Sequence, residues 1–158
     1  MRETFPTPVE LKGALQGTML YIALYAVVFI QFQSYSKFYL VSQKKKEARK
    51  KEGSSKVSFR EVKYYNSRDV LALAGDRCVG NTLEWAIVFL PLLWLHALFV
   101  NPEQSFTICA LYTFFRSYYP IAFMVNKSFY FSIMCSTVPC YGVLGFLFYE
   151  LASKAVFV

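Results

Sequence analysis

The chain carries its apolar residues in blocks long enough to cross a bilayer, and this restricts its folds more than any motif does. From Met19 to Phe32 one strongly polar side chain, Gln31, interrupts an otherwise apolar run. A spanning helix needs about 20 mostly apolar residues to cover roughly 30 Å of hydrocarbon. Four stretches reach that length, at about 14–35, 77–100, 106–125 and 129–151. The second ends at Asn101-Pro102, because the residue before a proline disfavours helical backbone. Pro91, Pro120 and Pro139 fall inside the later three, where neighbouring helices can re-satisfy the freed carbonyls. The expected fold is an all-α membrane protein, a four-transmembrane-helix bundle forming one domain over residues 1–158.

Charge orients this bundle. Residues 44–68 hold ten Lys/Arg and three Glu, so the whole formal charge of +7 lies in that segment. The short link 101–105 has no basic residue, so the basic loop 44–68 is expected in the cytoplasm and both termini opposite it. The N-terminus shows no cleavable signal pattern, and the first span is expected to act as its own insertion signal. The run Lys44–Lys51 reads first as a topology signal on a solvated, partly helical extension of span one, and second as a site of attraction to anionic lipid. Nucleic acid is not expected as a partner of so short a run at a membrane face. Gly53-Ser54-Ser55 is expected at a loop tip. Cys78, Cys109, Cys135 and Cys140 form no C-x-x-C pair and read as inert thiols. No metal cluster can be assembled from them and the lone His96, which reads as a packing residue near the far end of span two.

Charges inside spans are costly, about 2.5–3.5 kcal/mol at a helix centre, and face a partner or a cavity. Arg77, Asn81 and Glu84 stand at i, i+4 and i+7 and share a stripe on span two. Arg116, Tyr119 and Phe123 stand at i, i+3 and i+7 on span three. Counting rise from the short link places Glu84 about 24 Å and Asn81 about 29 Å deep, with Arg116 about 15 Å, Tyr119 about 20 Å and Phe123 about 26 Å. The two faces overlap in the cytoplasmic half of the bilayer. One reading is an Arg116–Glu84 ion pair locking the two helices. The other is a pocket for a polar, anionic small molecule, in which arginine forks hold carboxylates and Glu84 pairs with an amine. The two are compatible.

Arg77-x-x-x-Asn81-x-x-Glu84 opening the second of four spans, with Arg116-x-x-Tyr119 in the third, resembles the MAPEG family, the membrane-associated proteins of eicosanoid and glutathione metabolism. Length, layout and the basic loop between the first two spans are also similar. The resemblance implies a homotrimer with glutathione between subunits, bound by Arg77, Asn81, Glu84, Arg116 and Tyr119. It implies a glutathione transferase or peroxidase acting on lipophilic electrophiles or lipid hydroperoxides. The expected location is the endoplasmic reticulum or another organelle membrane, among membrane lipids. Three positions depart from the family pattern. Trp85 and Phe123 replace tyrosines, and Tyr130 stands where the thiol-activating arginine is expected, with Lys127 three residues before it. Thiol pKa is lowered chiefly by adjacent cations, so binding follows from the motif more directly than catalysis. The alternative expectation is a non-catalytic accessory subunit packed among other membrane subunits.

Overall fold

The computed structural model describes residues 5–52, 57–63, 69–126 and 131–156, and every regular element among them is helical. In chain order these are α1 (Lys12–Ala23), a π-helical segment (Leu24–Phe29), α2 (Ile30–Glu52), α3 (Arg60–Lys63), α4 (Val70–Phe99), α5 (Ser105–Ser117), α6 (Tyr119–Asn126), α7 (Phe131–Leu151) and a second π-helical segment (Ala152–Val156). Three helical stretches are long and apolar enough to cross a membrane: Lys12–Lys50, Val70–Phe99 and Phe131–Lys154. Large apolar side chains stand on the outside, with Ile87 77% and Phe131 78% exposed. An apolar exterior over helices this long is what a hydrocarbon solvent favours.

The expected boundaries shift in three places. The first helix runs unbroken past the span end expected near Tyr35, and the extension expected to be partly helical is helical throughout Lys44–Lys50. The second begins at Val70 rather than Arg77, because the Asp69 carboxylate caps it by accepting from the Ala72 N–H at 2.8 Å. The expected third span is divided into α5 and α6 by a turn at Tyr118. Pro120 causes the division: it has no N–H to give and suits the first turn of a new helix. The second helix ends where expected. Val100 and Asn101 both donate to the His96 carbonyl, and Asn101 Oδ1 accepts from the Glu103 N–H at 3.0 Å. The expected loop tip at Gly53-Ser54-Ser55 lies outside the described residues.

Close backbone approach sets the packing. A Cβ on Gly17 would lie 2.6 Å from Cys109 Cβ, so glycine lets α1 press against α5. A Cβ on Gly75 would lie 2.8 Å from Gln33 Cα, so α4 meets α2 in the same way. Three apolar clusters follow one another along α4. Phe89 and Leu93 join Tyr21, Tyr112 and Leu144 in the first. Ala74 and Cys78 join Phe29, Tyr119 and Phe123 in the second. Ala72 joins Leu40, Val41 and Val62 in the third. Side-chain hydrogen bonds cross between helices: Tyr21 Oη to the Thr82 carbonyl at 2.8 Å, Trp94 Nε1 to Thr18 Oγ1 at 3.1 Å, and Ser136 Oγ to the Phe115 carbonyl at 2.6 Å.

Candidate functional site

The polar faces of α4 and α5 meet through Arg116, which is 1% exposed. Its Nη1 donates to Asn81 Oδ1, and its Nε and Nη2 both donate to Tyr112 Oη at 3.3 Å. The guanidinium also lies 5.4 Å from the Tyr112 ring and 6.0 Å from the Trp85 ring. Tyr112 is fixed in turn by its stack on Phe89, with centroids 3.8 Å apart and planes 7° from parallel. The straight-axis count of rise left Arg116 well short of Asn81 in depth, yet the two are hydrogen-bonded.

The expected Arg116–Glu84 ion pair does not form. Arg116 is held by an amide oxygen, a phenol oxygen and two aromatic faces, with no carboxylate partner among the described residues. Glu84 and Arg77 lie on the exposed side of α4, while Asn81 is half-buried between them and Arg116. Tyr119 is buried in the cluster of Phe29, Cys78 and Phe123, within electrostatic reach of Arg77, Arg116 and Glu84. The five residues singled out in the sequence therefore occupy one neighbourhood with two aspects. Asn81, Arg116 and Tyr119 look inward, and Arg77 and Glu84 look out from the single chain.

Of the three departures from the family pattern, Trp85 packs on Tyr141 at 4.8 Å and Phe123 is buried beside Tyr119 at 6.3 Å. Tyr130 and Lys127 lie outside the described residues. His96 is buried, and its ring stands 6.2 Å from Phe146. Cys78, Cys109 and Cys140 are buried and Cys135 is exposed, all four unbridged.

Two polar features escape a reading of the sequence. Tyr112 stands four residues before Arg116 on the same helical face, and that spacing is the signal for it. The second is a half-buried cluster between α2 and α4. Asp76 Oδ1 accepts from Lys37 Nζ at 2.7 Å and from Gln33 Nε2 at 2.8 Å. The Lys37 and Asp76 side chains are 13% and 10% exposed. Gln33 and Lys37 share a face at i, i+4, but both flank the boundary expected for span one.

Compared with models of known protein families, with curated proteins and with solved structures, the chain matches none.

Proposed function

We propose that this chain is a MAPEG-like integral membrane protein that binds glutathione where α4 meets α5. One observation carries the reading: the Arg116 guanidinium is buried with an amide oxygen and a phenol oxygen as its hydrogen-bond partners and no carboxylate among the described residues. An unpaired buried charge is strongly unfavourable, and an anion entering beside it recovers that cost. Glutathione has two carboxylates and one amine. Arg77, Asn81 and Arg116 supply donors for the first, and Glu84 an acceptor for the second. Tyr119 lies close enough to contribute.

The exposure of Arg77 and Glu84 supports a homotrimer, because a second copy would close the open side of the site. In that assembly α5 and α6 together serve as the third of four spans, broken at Tyr118. The reaction is proposed as glutathione transfer to lipophilic electrophiles or reduction of lipid hydroperoxides, in the endoplasmic reticulum or another organelle membrane. Thermal unfolding of the detergent-solubilised protein tests the binding. Glutathione should stabilise the native chain and leave Arg116→Met and Glu84→Gln unmoved; a chain indifferent to glutathione sinks the reading. Turnover of a generic electrophile by the same preparation tests the enzyme.

A second reading is favoured by two side chains. Trp85 and Phe123 pack within this chain's own clusters and carry no phenol hydroxyl, which suits a non-catalytic accessory subunit rather than one that activates a thiol. Stoichiometric co-purification with other membrane subunits, without glutathione-dependent turnover, is its expected outcome.

A further inference from the structure

The outer face of α2 changes character along its length without changing direction. Tyr35, Phe38 and Tyr39 are exposed on it; the first and last stack at 6.3 Å, and Phe38 leans on Phe59 at 5.3 Å. Lys45, Lys46, Arg49 and Lys50 are exposed further along the same helix. At about 100° per residue these seven side chains fall within an arc of roughly 140°. The opposite arc carries Gln33, Ser36, Lys37, Leu40 and Val41, which face α4. Glu47, the acidic residue inside the basic run, lies off the outer face.

Height separates the two halves of the face. A crossing of about 20 residues from Ala14 ends near Tyr35, so the aromatics stand where headgroups begin. Arg49 lies fourteen residues further, about 21 Å along the axis, beyond a headgroup layer of roughly 6 Å. Long side chains reach back toward the surface, but a headgroup with one phosphodiester stays level with the aromatics. A headgroup that projects outward and carries additional phosphates meets the cations.

We propose that this face binds an anionic phospholipid of the adjacent leaflet whose headgroup bears more than one phosphate. The acyl end lies against Tyr35 and Phe38, and the outer phosphates against Lys45, Lys46 and Arg49. The proposal rests on the membrane reading above and not on glutathione. Flotation of the protein with neutral phosphatidylcholine vesicles tests the membrane reading separately.

The test titrates the full chain in neutral detergent with short-chain phosphatidylinositol bisphosphate, short-chain phosphatidylserine, free inositol trisphosphate and a polyglutamate peptide. The bisphosphate lipid should bind tightest. Replacing Lys45, Lys46, Arg49 and Lys50 together by alanine should weaken it by about tenfold or more. Tyr35→Ser with Phe38→Ser should weaken the lipid and leave the free headgroup unaffected. Equal binding of phosphatidylserine would reduce the face to general attraction, and equal binding of inositol trisphosphate would make it a soluble-phosphate site. Tighter binding of polyglutamate would make it a face for an acidic protein. Each of these, or unchanged binding in the alanine variant, overturns the proposal.

Discussion

Two cations, Lys37 half-buried and Arg116 buried, stand at different levels of this bundle and are treated in opposite ways. Lys37 meets a carboxylate, Asp76, at 2.7 Å, and Gln33 joins the same oxygen. Among the described residues Arg116 meets neutral oxygens and aromatic faces and no carboxylate. A half-buried charge paired within the fold is already neutralised and has its use in holding two helices in register. On the reading proposed above, a buried charge held in place but not neutralised is organised for an anion that arrives later. Position agrees with this division. The Lys37–Asp76 pair lies in the seam where Gly75 brings α2 against α4, whereas Asn81 connects Arg116 to the open side of α4.

The contrast can be broken most directly at the paired site. Lys37→Met strands the Asp76 carboxylate and should cost about 3 kcal/mol of unfolding free energy, and adding Asp76→Leu should restore most of it. Chemical denaturation in detergent measures both, and a single variant as stable as the native chain would mean that the pair locks nothing. Next in size, glutathione at a hundred times its Kd should stabilise the native chain by about 2.7 kcal/mol. The Lys37→Met, Asp76→Leu double variant should show the same shift in thermal unfolding and Arg116→Met none; an equal shift in Arg116→Met would move the anion elsewhere. Tyr112→Phe removes the acceptor of two guanidinium hydrogen bonds and should cost about 2 kcal/mol in stability. It should also weaken glutathione binding measured by calorimetry, because Arg116 loses its support. The smallest effect is expected for Gln33→Leu, about 1 kcal/mol. Its glutathione titration should overlay that of the native protein, and a weakened titration would join the two sites that are here kept apart.

The site at α4 and α5 was more legible in the sequence than the cluster at α2 and α4, for a definite reason. Arg77, Asn81, Glu84, Arg116 and Tyr119 stand inside or at the edge of apolar blocks, where a polar residue is conspicuous and helical spacing assigns its face. Lys37 and Asp76 lie just beyond the block edges expected at Tyr35 and Arg77, where charges are ordinary. The Asp69 cap moved the start of α4 outward by seven residues and drew Asp76 into the packed seam. Overlap of the two polar faces brought α4 and α5 together, but the counted depths set Arg116 short of Asn81 and did not choose the partner. Coulomb attraction favoured Glu84 for Arg116, but Asn81 and Tyr112 take its hydrogen bonds while Glu84 stands on the exposed side of α4. The division at Tyr118 was visible as Pro120, yet a proline inside a span is equally consistent with the unbroken helices that carry Pro91 and Pro139. The π-helical segment at Leu24–Phe29 has no proline or glycine to announce it.

That π-helical segment also gives the first helix a mechanical character. Below it, Gly17 seats the chain on α5; above it, the residues around Gln33 and Ser36 are seated against Gly75 of α4. One rod is thus pressed closely onto α5 below the change of winding and onto α4 above it, with Tyr21 and Thr18 bonded to α4 and Phe29 packed beside Ala74 and Cys78 in between. Lys50 stands about 35 Å beyond the middle of that change, so a tilt of roughly 5° there sweeps the basic tip through about 3 Å. The rod is a lever, and a load taken up at the tip arrives at the seam beside Asp76 before it reaches α5.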